Sequence, residues 1–294
     1  MTTAMVLCAG YGTRLRPLTD ELAKPLMPVG DRPVLGHVIE MLAGAGVGRV
    51  VVNTHHRALD FDRQVEALSP NVQVVHEPRI LGTAGGVSNA ASALAAGDVI
   101  VWNGDILAPG LDVAAVIESR PLSGAEAIWV VAPLPSGSGT VGLNVEGNLV
   151  RLRGERFGQE ASGGDFVGIQ VMSAELRAKL PHEGCLVTDV ALPLLRRGGR
   201  IGSFSFRGDW DDVGTPEALL RANFRWLDRR GLAAWCAADA RLEGDVRLER
   251  SLVGAGSVIR GDGVVRESVV FPGAELRAPN ERAIAARRAT LVVQ

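Results

Sequence analysis

Ala4-Met5-Val6-Leu7-Cys8-Ala9-Gly10-Tyr11-Gly12-Thr13-Arg14-Leu15-Arg16-Pro17-Leu18-Thr19 is the stretch that orders the reading of the rest of the chain. Its first six residues are apolar or small and read as a buried strand, stopped by Gly10 and Gly12. Glycines directly after a strand let backbone N–H groups come close to phosphate oxygens. A dinucleotide fingerprint would need a third glycine, where position 15 is Leu. It would also need an acidic residue closing the second strand, where Asn53-Thr54-His55-His56 stands. Thr13, Arg14 and Arg16 in the loop suit a polyphosphate better than a dinucleotide.

Moving outward, short β-branched runs alternate with helical patterns. A helix is expected from Pro33, with Val34, Leu35, Val38, Ile39 and Leu42 at helical spacing. Val50–Val52 reads as a strand, 58–68 as a helix, Val72–Val75 as a strand, Ala84–Ala96 as a helix and Val99–Trp102 as a strand. Apolar strands separated by helices predict an α/β fold with a mostly parallel sheet covered on both faces. Later strands (127–132, 141–145, 166–171) follow with less helix between them, which makes the sheet mixed. From about residue 240 the period becomes six: Val246, Leu252, Val258, Val264, Val270 and Leu276, with Gly254, Gly256, Gly261, Gly263 and Gly273 between them. Hexapeptide repeats build triangular coils, three repeats to a turn; the alternative is a two-hairpin β appendage. Arg221–Arg230 reads as the connecting helix. The expected domains are 1–235 and 236–294.

The chain has 294 residues, 47% hydrophobic and 22% charged, with 31 basic and 33 acidic side chains and a net charge of −2. That balance excludes a non-specific nucleic-acid binder. Only Lys24 and Lys179 are lysines, and the other 29 basic residues are arginines. Neither lysine follows a glycine, so there is no P-loop. Three dispersed cysteines and five histidines show neither a disulfide framework nor a zinc spacing; His55-His56 is read as ordering its loop. No signal-peptide pattern and no apolar run of about 18 residues is present, so the expectation is a cytoplasmic protein with no membrane or nucleic-acid partner.

Gly10–Thr19 followed by Lys24-Pro25-Leu26-Met27-Pro28-Val29 resembles the signature of sugar-1-phosphate nucleotidyltransferases. The likeness continues in order through Leu81-Gly82-Thr83-Ala84-Gly85-Gly86, Asn103-Gly104-Asp105, Phe166-Val167-Gly168-Ile169 and Trp210-Asp211-Asp212-Val213-Gly214-Thr215-Pro216. The tail is similar to the short left-handed β-helix of the mannose-1-phosphate guanylyltransferase branch. The resemblance implies a Rossmann-like three-layer αβα domain, and a reaction in which a sugar 1-phosphate attacks the α-phosphorus of an NTP and pyrophosphate leaves. The nucleophile is already an anion, so the absence of a catalytic triad is no objection. The task is neutralising two polyanions.

The roles implied by the resemblance are these. Arg14 and Lys24 are catalytic, Arg14 on the departing pyrophosphate and Lys24 between the α-phosphate and the sugar phosphate. Leu7, Ala9, Gly10, Gly12, Thr13, Gly82, Thr83 and Ala84 contact the nucleotide. Glu77 lies where relatives meet the base edge and tilts the reading to GTP, against a surface glutamate before Pro78. Asn103, Gly142, Glu155, Arg156 and Gly168 face the sugar phosphate, with Arg156 standing where relatives carry lysine. Asp105 and Asp212 hold Mg²⁺, against a turn aspartate for Asp105 and Asp211 as the rival of Asp212. The first reading is GTP plus mannose 1-phosphate to GDP-mannose by a homo-oligomer that associates through its tail. The alternatives are a UTP- or dTTP-using enzyme of the same class, or a non-catalytic NDP-sugar-binding regulatory subunit. An acyltransferase tail is excluded, because the last histidine is His182, before the repeat.

Overall fold

Every residue from Thr3 to Val6 is buried. In an extended chain successive side chains point to opposite faces, so this strand is covered on both sides. The structure, a computed structural model, describes residues 2–69 and 71–293, so that Met1, Pro70 and Gln294, and with them the outer limits of the two expected domains, lie outside the described residues. The chain forms two compact units, Met1–Gly10 with Val38–Trp210, and Tyr11–His37 with Asp211–Gln294.

The first unit is built on a ten-stranded sheet. Its strands are β1 (Thr3–Leu7), β2 (Arg49–Thr54), β3 (Val72–His76), β4 (Val99–Asn103), β5 (Ala127–Leu134), β6 (Val141–Leu143), β7 (Leu149–Leu152), β8 (Glu155–Arg156), β9 (Ser162–Met172) and β10 (Ile201–Ser205). β1 is central and parallel to both β2 and β4, and β2 is parallel to β3. β9 then runs antiparallel to β4, β5 and β6, which makes the sheet mixed, as the thinning of helices predicted. The parallel register aligns Leu7 with Asn53 on one side and Asn103 on the other. Three strands therefore end together, the position where open α/β sheets present their ligand-binding loops.

Two helix boundaries differ from expectation. Pro33 closes a two-residue strand with Arg32, and the helix begins at Val34. The alanine-rich segment after residue 84 is helical only over Gly82–Asn89. Beyond it, tertiary hydrogen bonds override propensity: Arg49 donates to the Ala93 carbonyl (3.2 Å), Arg177 to that of Ala95 (2.8 Å), and the Ala95 N–H donates to Thr3 Oγ1 (3.2 Å).

In the second unit the connecting helix is Pro216–Arg230, longer than its predicted core. Thr215 caps it, accepting from the Ala218 N–H at 3.2 Å, and Gly231 ends it in the left-handed conformation. Its buried Asn223 accepts from the Gly30 N–H (2.9 Å) and donates to the Pro28 carbonyl (3.1 Å), pinning the turn that follows Lys24-Pro25-Leu26.

The repeat forms three parallel ladders, the β-helix expected. Trp235 pairs with Leu252 and Leu252 with Val269, while Arg241 pairs with Val258 and Val258 with Glu275. Each such step is 17 residues, one short of three hexapeptides. The strict six-residue phase therefore slips, and Ile259 and Val265 are fully buried where Val264 is only half-buried. Buried Ser251 donates to the Val265 carbonyl (3.0 Å) and accepts from the Ser268 N–H (3.0 Å), and Ser268 Oγ accepts from the Ala283 N–H (3.0 Å). These hydroxyls satisfy corner backbone groups that would otherwise be orphaned. Antiparallel Thr290–Val292 closes the stack on Ala283–Ala285.

Gly30 has φ +66°, and a β-carbon there would lie 2.0 Å from Trp226 Cε2. Gly30→Ala is therefore expected to lower stability by about 2 kcal/mol or more, read as a reduced urea midpoint.

Candidate active site

At the strand ends of the first unit, one buried side chain organises three segments. Asn53 Oδ1 accepts the Cys8 N–H at 2.8 Å, and its Nδ2 donates to Glu77 Oε1 at 2.6 Å. The other Glu77 oxygen accepts the Leu81 N–H at 3.0 Å, and a His55 ring nitrogen lies 2.9 Å from the Glu77 carbonyl. Glu77 is 4% exposed. Both its oxygens thus hold the loops after β1, β2 and β3 together, so Glu77 is not the surface glutamate that was the alternative in the sequence. Asn53 was legible only as a polar residue closing the run Val50–Val52. His55 does order its loop, through Glu77.

The glycine loop 82–86 is shaped by close packing. Gly82 has φ +77°, and a β-carbon there would sit 2.4 Å from the Gly184 carbonyl oxygen. The Ala84 N–H donates to that same oxygen (2.9 Å), and Thr83 Oγ1 accepts the Leu186 N–H (2.8 Å). A β-carbon on Gly86 would meet Asn53 Nδ2 at 2.6 Å. Gly10 has open space beside it and Ala9 is buried. The Gly104 N–H donates to the Leu7 carbonyl (2.9 Å), so Asp105 follows β4 at the same end of the sheet as the loop after β1. Burial pushes the Cys8 thiol well above its ordinary pKa, and the Asp105 carboxylate adds to the effect.

The expected sugar residues are distributed over β4, β6, β8 and β9. Gly168 has φ +88° and would clash with Asn103 Nδ2 at 2.8 Å if it carried a β-carbon, so these two are neighbours. Gly142 is flanked by Arg151 on one side and Gly163 on the other, and its missing side chain leaves room for Glu160. Glu155 is bound by both nitrogens of the Arg196 fork, and Arg156 is exposed on the edge strand beside it. Glu160, which accepts from Arg151 Nε (2.8 Å) and the Gly137 N–H (2.6 Å), carries no signal in its sequence neighbourhood. The stacked pair Trp129–Phe166, with ring centroids 4.1 Å apart, also escaped the reading.

In the second unit the glycine loop 11–19 converges with the residues after Trp210. Gly12 takes the left-handed conformation, with Thr19 Oγ1 donating to its carbonyl at 3.0 Å. A β-carbon on Gly12 would lie 3.2 Å from Lys24 Cβ, so the glycine lets the loop close onto Lys24. Lys24 is 12% exposed, and its Nζ lies 3.5 Å from Asp212 Oδ1. A β-carbon on Gly214 would be 2.8 Å from both Asp212 Oδ1 and an Arg14 terminal nitrogen. Arg14 and Asp212 therefore meet beside one glycine, and Lys24 reaches the same Asp212 oxygen. Thr13 begins the short turn that carries Arg14, while Arg16 faces outward to Asp20 at 3.4 Å.

Asp212 Oδ1 is buried without a hydrogen bond. An orphaned carboxylate oxygen suits a hard cation, which also takes oxygens from phosphates and water. Among the described residues there is no group of three or more His, Cys, Asp or Glu able to hold a metal alone. The rival Asp211 is 1% exposed and accepts from Arg221 and Arg225 (3.0 and 3.1 Å). No described helix is long and apolar enough to cross a membrane.

Residues 3–148 match the family model described as nucleotidyl transferase. The mannose-1-phosphate guanylyltransferase of Mycobacterium tuberculosis is 28% identical over 282 residues, covering 93% of this chain and 77% of that protein. The N-acetylmuramate alpha-1-phosphate uridylyltransferase of Caulobacter vibrioides is 31% identical over 237 residues, covering 76% of this chain and 96% of that protein. The mannose-1-phosphate guanyltransferase of Emericella nidulans and the mannose-1-phosphate guanylyltransferase catalytic subunit beta of Drosophila melanogaster are spanned over 64% and 61% of their length. The crystal structure of HddC from Yersinia pseudotuberculosis complexed with GMP-PN is similar in fold, with a TM-score of 0.65 at 24% identity, covering 77% of this chain and 100% of that one.

Glu77→Ala is expected to lower stability by about 1–3 kcal/mol, because the Asn53 amide and Leu81 N–H lose their acceptor; an unchanged urea midpoint would return Glu77 to a purely ligand-facing role. The Arg151 guanidinium and the Gly137 N–H hold the Glu160 carboxyl down at about 2, against an ordinary value of 4.5. A depressed native pKa stabilises the fold above the unfolded value and loses that contribution as pH falls through the native one. The stability margin of the wild type over Glu160→Gln should thus be full above pH 4.5 and shrink toward pH 2, as read by urea unfolding at pH 7, 4 and 3.

Proposed function

Because the chain belongs to the nucleotidyl transferase family, we propose that it joins a nucleoside triphosphate and a sugar 1-phosphate into an NDP-sugar, releasing pyrophosphate. The observation that carries this reading is that Asp212 Oδ1 meets Lys24 at 3.5 Å and shares the space beside Gly214 with Arg14. A phosphate oxygen of the sugar 1-phosphate forms a bond to the α-phosphorus while the bond to the bridging oxygen breaks in line, and that electron pair leaves on pyrophosphate. No proton need be removed from the attacking oxygen. The protein's work is to align two anions and offset their charge.

Arg14 offers a planar fork to the charge spreading over the departing pyrophosphate. Lys24, buried along its stem, presents a compact ammonium to the phosphate undergoing attack. Asp212 and Asp105 are the carboxylates assigned to Mg²⁺, which when bound would supply further charge neutralisation at phosphate oxygens. Leu7, Ala9, Gly10, Gly12, Thr13 and Gly82–Ala84 are assigned to the nucleotide, and Asn103, Gly142 and Gly168 to the sugar phosphate. Glu155 and Arg156 enter that group only if Arg196 releases Glu155.

GTP with mannose 1-phosphate is the first substrate reading, supported by the Mycobacterium tuberculosis relative, which aligns over most of this chain. UTP is the second, supported by the uridylyltransferase relative, nearly all of whose length aligns here. Glu77, on which the guanine reading of the sequence rested, accepts from Asn53 and from the Leu81 N–H. Self-association through the repeat is part of the reading, since its first coil leaves Leu242 exposed.

A matrix of NTPs against sugar 1-phosphates, read by pyrophosphate release, is expected to give turnover with one preferred pair. Arg14→Ala should reduce it by about 10²–10³-fold, and Lys24→Arg by about tenfold or more despite keeping the charge. Binding of an NDP-sugar with no turnover of any pair would replace this reading with that of a regulatory subunit.

A further inference from the structure

Asp211 and Asp212 are adjacent in an extended segment, and adjacent extended residues send their side chains to opposite sides. Asp211 turns toward the Pro216–Arg230 helix and is buried to 1% exposure. Arg221 Nε (3.0 Å) and an Arg225 terminal nitrogen (3.1 Å), one helical turn apart, both donate to Asp211 Oδ1. Four residues on, the chain is fixed to the same helix by the Thr215 cap. Between these two anchors Val213 is fully buried, and a β-carbon on Gly214 would press on the ends of the Arg14 and Asp212 side chains at 2.8 Å. Of the two adjacent aspartates, Asp212 is the one that meets Lys24, its Oδ1 held without a hydrogen bond 3.5 Å from Nζ.

We propose that Asp211, latched by Arg221 and Arg225, is a positioning residue that aims the Asp212 carboxylate for a divalent cation. This rests on Asp212 being the cation ligand. A carboxylate that contacts neither cation nor substrate then governs metal affinity by fixing the backbone on which the ligand rides, as outer-shell partners do. The latch is a charge interaction. Asn has the same shape but meets two guanidiniums with a neutral amide, so Asp211→Asn loosens the segment without emptying the space.

The test is an electron paramagnetic resonance titration of the full chain with Mn²⁺ alone, with no nucleotide or sugar present. Wild type is expected to bind, Asp212→Asn to lose binding, and Asp211→Asn to bind about tenfold more weakly. Arg221→Gln removes a half-exposed guanidinium, leaves Arg225 on Asp211, and covers the case in which Asp211→Asn does not fold; it too should weaken Mn²⁺ binding, with a melting temperature near that of wild type. In turnover assays the Mg²⁺ concentration for half-activity should rise by the same factor, more than kcat falls. Folded Asp211→Asn or Arg221→Gln with wild-type Mn²⁺ affinity would overturn the proposal, and so would a wild type that binds no Mn²⁺. A protein that turns over no substrate pair but still shows the Mn²⁺ shifts would sink the transferase reading and leave the latch standing.

Discussion

A carboxylate oxygen buried without a hydrogen bond, 3.5 Å from an ammonium, is the constraint on which the rest of the site depends. The Asp212 side chain is 46% exposed, so one oxygen reaches solvent while the buried one has an ammonium beside it and no hydrogen-bond donor. This arrangement persists because the segment 211–215 is tied to one helix at both ends and because Gly12 and Gly214 let the neighbouring chains close in. An acceptor left without a donor in this way suits a ligand that completes its shell. The reaction proposed here supplies what is missing: phosphate oxygens and a hard cation.

The two adjacent aspartates show how one sequence feature divides into two roles. Both were candidates for the same ligand, and nothing in Trp210-Asp211-Asp212-Val213 distinguishes them. The distinction comes from Arg221 and Arg225, ten and fourteen residues later, whose spacing matters only once they lie on one helix face. Arginine suits that task, since a rigid fork can share an acceptor with a neighbour. Lysine suits the other task, a small ammonium inside a loop closed by Gly12. The near-absence of lysine from the composition therefore made Lys24 legible, though not the reason for its placement.

Much of the fold was legible because burial on both faces writes continuous apolar runs such as Ala4–Val6 and Val99–Trp102. The helix after residue 84 was misjudged because the propensity of an alanine run carries no record of the arginines that claim its carbonyls. The repeat was legible as a period of six, but the 17-residue turn was not, because one residue is dropped at a corner and the phase shifts to Ile259 and Val265. At the site, glycines and charged residues near strand ends could be read. The internal partners of Glu77, Glu155 and Asp211 could not, since each is contributed by a distant segment: Asn53, Arg196, and the helix that carries Arg221 and Arg225.

The central claim is that charge placement around Gly214 suffices and that no side chain of the protein attacks phosphorus. The stereochemistry at the α-phosphorus tests it directly, using one diastereomer of an α-thio nucleoside triphosphate with the preferred sugar 1-phosphate and assigning the product by phosphorus NMR. A single in-line displacement predicts inversion of configuration. Retention would contradict the account, because it requires two displacements and therefore a covalent nucleotidyl–protein intermediate.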